Sequence, residues 1–280
     1  MYKDINIKNC IKHYTPNLLK KNIKSEKLFF RCIFFLFKII SFWINIMKSK
    51  KTNIQYEKAF EIFQKTNGQR FSVLSEDKYP CLEDNTGTTN IDKHYVYHTA
   101  WAARKLREIQ PAKHIDISSF IYFSTIISAF IPVEFYDYRP AFINLSNFKT
   151  GHVDITKLVF DDESIGSLSC MHVVEHIGLG RYGDQLDPDG DLKAILQLKR
   201  VLAKNGNLLF VVPVGKKPKI MFNAHRIYTY EQIIHYFSDL VLIEFSLIPD
   251  VSNEGLIIHA KKTDCEEQQY GCGCFWFKKQ

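Results

Sequence analysis

The feature that most constrains the fold is an alternation of strand-like and helix-like segments in the second half of the chain. Short apolar runs of strand length are separated by longer amphipathic stretches, with Pro and Gly at several boundaries. The predicted strands are His114–Ile117, Val133–Tyr136, His152–Ile155, Gly166–Met171 and Asn207–Val212, and the predicted helices are 118–130, 191–202 and 229–237. This alternation predicts an α/β fold with a mostly parallel sheet and helices on both faces.

Two further strand-like runs, 240–248 and 256–261, are predicted to form an antiparallel hairpin at one edge of the sheet. Before the first strand, Asp92 is placed to cap a helix that ends near Ile109. We therefore divide the chain into four parts. They are a basic hydrophobic N-terminal segment that adds a helical extension (1–51), a helical and loop-rich lead-in (52–92), the α/β domain (93–262) and a cysteine-containing tail (263–280).

The positive charge of the chain is confined to its N-terminal segment. The whole chain has 37 Lys and Arg against 30 Asp and Glu. Residues 1–51 hold 12 of the basic and 2 of the acidic side chains, so the rest of the chain has a small excess of acid. The α/β domain therefore shows no charge signal for nucleic acid, and we predict no nucleic-acid partner. The basic segment suits a polyanion or an anionic membrane surface.

Within that segment, Leu28 to Met47 form a hydrophobic run about as long as a membrane-spanning helix. Arg31 and Lys38 interrupt it, and a lysine near the bilayer centre is costly. On a helix the polar residues of the run share one stripe, which is typical of a helix lying in the membrane interface. Three interpretations stay open: an interfacial helix within residues 20–48, a membrane span, and a helix packed against protein. A secretory signal peptide fits poorly, so we predict a cytoplasmic protein, peripheral at the inner membrane face under the first interpretation.

The seven cysteines are scattered, and their odd number argues against a disulfide framework and favours a reducing compartment. Cys272 and Cys274 flank a single glycine, a spacing that suggests a metal. A structural zinc site needs about four ligands, and only Cys265 lies near them in sequence. We therefore interpret them as free thiols in a tail and predict no metal site.

Polar residues follow several of the predicted strands. In a doubly wound sheet, ligands bind beyond the carboxyl ends of the strands, where the strand order reverses. Asp137, His172 and Pro213 each end a predicted strand. This rule predicts a binding site that includes the first two of these side chains.

Three segments, in the correct order and spacing, resemble class I S-adenosylmethionine-dependent methyltransferases. Residues 154–164 resemble the third strand and following loop of that family, and residues 171–177 (Met-His-Val-Val-Glu-His-Ile) resemble the end of its fourth strand. Residues 200–208 resemble the helix, turn and strand that come next. The resemblance implies a Rossmann-like class I methyltransferase fold and S-adenosylmethionine as the cofactor.

A longer resemblance, from about Tyr79 to Asp250, is to a bacterial family named domain of unknown function 268. The matching stretches are Tyr95–Arg104, Phe135–Pro140, His176–Asp184 and Phe222–Tyr228. Members of that family look like parts of cell-surface polysaccharide gene clusters. This implies a sugar or glycolipid as the methyl acceptor.

The methyltransferase resemblance also implies residues that bind the cofactor. Asp137 would accept hydrogen bonds from the ribose hydroxyls, and Asp154 would contact the adenine amino group. Where the family carries a glycine-rich turn after its first strand, this chain has Asp116, Ser118 and Ser119 and no glycine. The serine hydroxyls are expected at the methionine end of the cofactor.

His172, Glu175 and His176 follow the fourth predicted strand, where methyltransferases place groups that face the substrate. Methyl transfer to a hydroxyl benefits from a base that removes its proton, and histidine suits that task near neutral pH. We predict these three as the catalytic group. The alternative is a structural role for one or both histidines.

Asn223, His225, Arg226 and Tyr228 follow the fifth predicted strand. Together they can hydrogen-bond a sugar or hold a phosphate, so we predict a substrate-binding role. The alternative is a packed loop in which the arginine satisfies backbone carbonyls.

Two hypotheses follow for the whole chain. The first is an S-adenosylmethionine-dependent methyltransferase that O-methylates a sugar or glycolipid in polysaccharide biosynthesis. The second is a non-catalytic protein that keeps the methyltransferase fold and acts as a scaffold in a surface-glycan pathway, since fold alone does not prove function. Cofactor binding discriminates between them.

Overall fold

The computed structural model describes residue 34 and residues 52–68, 70–250 and 254–280. It divides the chain into two compact units, Met1–Thr89 and Asn90–Gln280. The stretch 20–48, for which membrane association is predicted, lies outside the described residues apart from residue 34. In the described part of the chain, no helix is both long enough and apolar enough to cross a membrane.

The first unit contains a helix over residues 52–66 and a short 3-10 turn, Ser75–Asp77. Just after that turn, the Lys78 ammonium group lies 2.7 Å from the Glu57 carboxylate and 4.3 Å from the centroid of the Phe60 ring. These contacts hold the loop against the helix.

The second unit is an α/β structure whose strands and helices alternate over most of its length. In chain order its elements are α1 (Lys93–Ile109), β1 (His114–Asp116), α2 (Ile121–Ile127), β2 (Val133–Asp137), β3 (Phe148–His152), β4 (Ile165–Met171), α3 (Gly190–Val201), β5 (Leu202–Val214), β6 (Lys219–Met221), β7 (His225–Ile227), α4 (Tyr230–Tyr236), β8 (Val241–Ile248), α5 (Lys262–Glu266) and β9 (Gly271–Lys278).

Among the described residues, seven of these strands form one sheet in the order β3-β2-β1-β4-β5-β9-β8. Strands β1 to β5 pair in parallel, and β9 is antiparallel to both β5 and β8. The remaining pair, β6 and β7, forms a small antiparallel ribbon. The order reverses between β1 and β4, which places the expected ligand crevice beyond the carboxyl ends of those strands.

Both faces of the sheet are covered by helices. On one face the core contains Leu198 of α3 and Phe237, the residue that follows α4, together with Phe210 of β5. On the other face it contains Trp101 of α1 and Phe123 of α2. Successive residues of a strand point to opposite faces, so strand β5 supplies side chains to both cores. The Rossmann-like, mostly parallel architecture predicted from the sequence is confirmed.

Local sequence signals account for the ends of α1. The Asp92 carboxylate accepts a hydrogen bond from the Tyr95 amide at 3.2 Å, as an N-cap residue does. The helix ends at Gln110, which adopts a left-handed backbone conformation with φ of 48°. The carboxyl-terminal half of α1 is anchored by Trp101, whose indole Nε1 donates to buried Glu244 on β8.

The predicted third strand, His152–Ile155, is wrong by about four residues. The observed β3 is Phe148–His152, and it pairs with β2 from Val133↔Phe148 to Asp137↔His152. Val153 and Ile155 are buried because they enter the core just after the strand ends. Strand β3 is at the sheet edge and is half exposed, so it lacks the apolar run that the prediction relied on.

The prediction that β5 stops at Pro213 is also wrong. Strand β5 continues to Val214, and the Pro213 carbonyl accepts a hydrogen bond from the Tyr228 amide at 3.0 Å. Proline has no N–H to donate, but its carbonyl remains available, and here it links β5 to the residues that follow β7.

The largest correction concerns the C-terminus. Residues 256–261, predicted as the last strand, contribute only an isolated bridge between Ile257 and Leu247 in the described structure. The last strand is β9, which lies in the stretch predicted to be a tail and is inserted between β5 and β8. Residues 263–280 are therefore part of the α/β unit, and Cys272 and Cys274 are buried inside it.

Candidate functional site

A cavity of about 590 Å³ opens beyond the carboxyl ends of β1, β2 and β4. Its volume is in the range of small-molecule sites, and it lies at the point where the strand order reverses. Six of the predicted cofactor and catalytic residues line it, together with Tyr95 from α1: Ser118, Ser119, Asp137, Asp154, His172 and His176.

The cavity has two carboxylates on one side. Asp137 is the last residue of β2, and its Oδ1 accepts a hydrogen bond from the Arg139 amide at 2.7 Å. Oδ1 of Asp154 accepts from the amide of Thr156 at 2.9 Å and from its hydroxyl at 2.7 Å. These local bonds fix each carboxylate at the cavity wall. A carboxylate can accept about four hydrogen bonds, so both retain capacity for a ligand.

The turn after β1 adopts its shape without glycine. The Ser118 hydroxyl accepts from the Met171 amide at 3.1 Å, and the Ser119 hydroxyl donates to the Met171 carbonyl at 3.3 Å. None of residues 117–120 has the positive φ that would favour glycine. The serines thus tie the turn to the end of β4, and the turn still lines the cavity.

Asp116 is not at the cavity, and its predicted contact with the cofactor is corrected. Its side chain is fully buried and accepts hydrogen bonds from the hydroxyls of Ser124 and Ser169. Burial raises the pKa of this carboxyl, although hydrogen bonds from the serines oppose the rise. Ser169 also contacts Nε2 of buried His114 at 2.9 Å. Asp116 therefore belongs to a polar network inside the unit.

The three predicted catalytic residues form one cluster. Nδ1 of His172 donates to Oε1 of Glu175 at 2.7 Å, and Nε2 of His176 lies 3.9 Å from the same oxygen. Burial would raise the pKa of Glu175, but the hydrogen bond and charge of His172 and the charge of His176 outweigh it and lower that pKa. Glu175 is 1% exposed and does not line the cavity. It supports the two histidines from behind.

The two histidines differ in whether a ring nitrogen remains free to accept a proton. Nδ1 of His176 lies 2.6 Å from the Ala224 carbonyl and 3.3 Å from the Arg181 guanidinium. The shorter contact is with a carbonyl, which only accepts, so it favours the tautomer in which Nδ1 donates and Nε2 accepts. Both nitrogens of His172 are engaged, since Nε2 lies 3.4 Å from Sγ of Cys272. His172 also has a positive φ of 55°. A strained backbone at such a position is typical of functional sites.

None of the four predicted substrate residues after β5 lines this cavity. The guanidinium of Arg226 donates to the carbonyls of Ile177 at 2.6 Å and Pro188 at 3.1 Å. The Tyr228 hydroxyl donates to Asp191 at 2.8 Å, and burial together with Asp191 raises the pKa of Tyr228 well above its usual value. Arg226 and Tyr228 are buried and hold the loop together, as the packed-loop alternative expects, and they line a second cavity of about 320 Å³. Their contact with a substrate stays a prediction.

The other two residues of that group lie elsewhere. Asn223 is exposed, and neither it nor His225 is among the residues that line the cavity. The His225 ring contacts the Tyr270 ring, with 4.9 Å between centroids. The prediction of substrate binding by these two residues is neither confirmed nor contradicted by this placement.

The loop after β4 is held together by Asp184. Its carboxylate accepts hydrogen bonds from the amides of Gly178 at 2.8 Å, Gly180 at 3.3 Å and Tyr182 at 3.2 Å. Gly178 has φ of +79°, and a Cβ there would lie 2.0 Å from the Asp187 carbonyl oxygen. Glycine is therefore required at this point of the cavity wall.

Several residues at or near the site were missed by the sequence analysis. Tyr95 from α1 and Tyr182 both line the cavity, and the Arg139 guanidinium lies 4.6 Å from the centroid of the Tyr182 ring. His94 and Cys272 lie just behind His172. His94 and Tyr95 come from α1 and Cys272 from β9, far from β4 in sequence, so no local motif connects them with His172.

The strand order, the antiparallel β9 and the cavity at the switch point define a class I methyltransferase-type fold. Residues 124–255 match a family model described as "Caenorhabditis protein of unknown function, DUF268". That description names Caenorhabditis, so the bacterial character expected for the family is not supported. A comparison with curated proteins finds no match.

Solved structures with a similar fold include methyltransferases at low sequence identity. One is the 1,6-didemethyltoxoflavin-N1-methyltransferase of Burkholderia thailandensis, solved with S-adenosylhomocysteine (10% identity, 65% of this chain and 78% of that chain, TM-score 0.46). Another is the N-methyltransferase NodS of Bradyrhizobium japonicum, also solved with S-adenosylhomocysteine (14% identity, 65% and 85%, TM-score 0.44). At these values the fold assignment rests on the strand topology described above.

Proposed function

We propose that this protein is an S-adenosylmethionine-dependent methyltransferase that binds the cofactor in the cavity and uses His176 as the base. The observation that carries the proposal is that one cavity, at the switch point of the sheet, joins Asp137 and Asp154 on one side with His176 on the other. A ligand site and a proton acceptor are thus within reach of one bound molecule.

The residues present fit this cofactor. Asp137 at the end of β2 would accept hydrogen bonds from the ribose hydroxyls, and Asp154 from the adenine amino group. The turn at Ser118 and Ser119 would face the methionine part. When bound, S-adenosylmethionine supplies a methyl group on a sulfonium centre, which reacts with a nucleophilic acceptor. The two carboxylates also favour a ligand that carries positive charge.

The proton of the acceptor would pass to Nε2 of His176. The Ala224 carbonyl holds the other nitrogen, which favours this tautomer. The Glu175 carboxylate, 3.9 Å from Nε2, stabilises the imidazolium that forms when the proton arrives. A base placed this way contributes about 10²–10⁴-fold to a rate.

The acceptor predicted from the sequence, a sugar or glycolipid in polysaccharide biosynthesis, stays a proposal. What supports a sugar is a pair of hydrogen-bonding side chains, Arg139 and Tyr182, that line the cavity, with the Arg139 guanidinium carbon 4.6 Å from the centroid of the Tyr182 ring. Guanidinium and phenol groups can donate hydrogen bonds to the hydroxyls of a sugar. Association with a membrane through residues 20–48 likewise stays a prediction.

Replacing Asp137 with Ala is expected to weaken binding of S-adenosylmethionine and S-adenosylhomocysteine by about 10–100-fold, because a charge-assisted hydrogen bond contributes about 1.5–3 kcal/mol. The measurement is calorimetric titration of the full chain with each compound. Asp161→Ala is the matched control, since Asp161 is exposed and does not line the cavity. Equal affinity of Asp137→Ala and the unmodified chain would contradict the proposed site.

A further inference from the structure

Behind the cavity wall, three metal-ligating side chains from three separate elements converge. They are His94 near the start of α1, His172 after β4 and Cys272 on β9. One ligand atom from each lies within 4.8 Å of the other two. His172 and Cys272 are buried, and His94 is partly buried.

The separations are close to those of a bound ion. A tetrahedral zinc ion places its nitrogen and sulfur ligands about 3.3–3.8 Å apart, given zinc–ligand distances near 2.0–2.3 Å. Nε2 of His172 already lies 3.4 Å from Sγ of Cys272. The three ligand atoms lie no more than 4.8 Å apart, so a movement of the side chains by about 1 Å would bring them to the spacing of ligands around a zinc ion.

The orientation of His172 is the one that metal-bound histidines have. Its Nδ1 donates to the Glu175 carboxylate at 2.7 Å, which directs Nε2 toward Cys272. A carboxylate behind a metal-ligating histidine fixes its tautomer and raises its basicity. The His94 ring lies 5.6 Å from the His172 ring, centroid to centroid, with an 8° angle between the planes, so the partly buried His94 side chain must rotate to direct a nitrogen at the same ion.

Two buried polar atoms around the triad have no hydrogen-bond partner among the described residues. They are Nε2 of His98, whose ring meets His172 edge-on at 5.0 Å, and Oε2 of Glu175. Buried polar atoms are rarely left unpaired, and such exceptions often mark an ion or water. A cation here would also balance the charge of the buried Glu175.

We propose that His94, His172 and Cys272 bind a divalent transition-metal ion, with zinc the ion that two imidazoles and one thiolate favour. Three protein ligands leave one position open, as in catalytic zinc sites. Because His172 also lines the cavity, the ion would lie directly behind the cavity wall. The binding of the ion does not rest on the proposed function.

The test is metal analysis of the full chain purified without chelator, followed by titration of the metal-free chain with Co²⁺. We expect about one zinc per chain and, with cobalt, the charge-transfer absorption of a thiolate-bound ion. Cys272→Ser should abolish that absorption and weaken binding at least tenfold. Cys274→Ser is the matched control, because Cys274 is equally buried on the same face of β9 but lies outside the triad.

His94→Gln provides a second variant at a partly exposed position, and circular dichroism shows that each variant is folded. The proposal is overturned if the folded chain binds no metal, or if Cys274→Ser loses the cobalt absorption as completely as Cys272→Ser. Titration with S-adenosylhomocysteine is run in parallel. A chain that binds zinc but no S-adenosylhomocysteine supports the metal site and contradicts the proposed function. A chain that binds S-adenosylhomocysteine but no zinc supports the proposed function and overturns the metal site.

Discussion

Replacing His176 with Gln should lower kcat for methyl transfer by about 10²–10⁴-fold, the usual contribution of a positioned base. Gln keeps a similar size and can still donate to the Ala224 carbonyl, but it cannot take up the proton of the acceptor. Affinity for S-adenosylhomocysteine should change by less than about threefold, because the carboxylates that we assign to the cofactor, Asp137 and Asp154, are untouched. A large fall in kcat with unchanged affinity for S-adenosylhomocysteine would distinguish a catalytic base from a residue that only packs.

The rate is measured as transfer of labelled methyl groups from S-adenosylmethionine to whichever nucleotide sugar or lipid-linked glycan the unmodified chain methylates. His235→Gln serves as the control, since His235 lies exposed on α4 and does not line the cavity. If His176→Gln retained the rate of the unmodified chain, or if His235→Gln lost as much, the assignment of the base would be wrong.

Replacing Trp101 with Ala should lower the free energy of unfolding by about 3–5 kcal/mol, the range found when a large aromatic side chain is removed from a core. Trp101 is 1% exposed, and its Nε1 donates to Oε1 of Glu244 at 2.8 Å. Lys105 and Ser246 also contact that carboxylate, at 2.6 and 2.8 Å. The substitution therefore opens a cavity and removes one of the groups that stabilise a buried charge.

Urea denaturation followed by circular dichroism gives this value. Trp101→Phe separates the two effects, because it keeps most of the volume and removes only the indole donor, and it should cost about 1–3 kcal/mol. A loss of less than about 1 kcal/mol in Trp101→Ala would show that α1 is not anchored through this residue. The prediction matters for the site because α1 carries His94 and Tyr95 to it.

The parallel core of the sheet could be predicted from the sequence, and its edges could not. Strand β5 contains the apolar run 208–212, and β4 is buried at six of its seven residues, so their signals are visible locally. Strand β3 lies at an exposed edge of the sheet and contains Lys149, Thr150 and Gly151, which give no apolar signal. The prediction was placed instead on the buried apolar residues that follow, Val153 and Ile155. Edge position is a property of the assembled sheet.

Strand β9 was missed because its first half reads Gly-Cys-Gly-Cys, a composition that is uncommon in strands. The packing gives the reason for one of these glycines. A Cβ on Gly273 would lie 2.7 Å from the Val214 side chain and 2.8 Å from the Phe275 ring. Glycine is required at position 273 because these side chains pack against it once the sheet has formed. A local sequence pattern cannot show such contacts.

The candidate site was predictable where it follows from strand ends and unpredictable where it depends on distant pairs. Asp137 and His176 line the cavity as expected. Arg226 was equally plausible by residue type, but its guanidinium satisfies the carbonyls of Ile177 and Pro188. The contact of Cys272 with His172 spans 100 positions of sequence and could not be foreseen from spacing.

The most direct test of the account is a crystal structure of the full chain grown with S-adenosylhomocysteine. We expect the ligand in the cavity beyond β1, β2 and β4, with its ribose hydroxyls hydrogen-bonded to Asp137 and its adenine amino group near Asp154. Crystals of the folded chain that show no ligand in this cavity at saturating S-adenosylhomocysteine would contradict it and favour a non-catalytic protein with the methyltransferase fold.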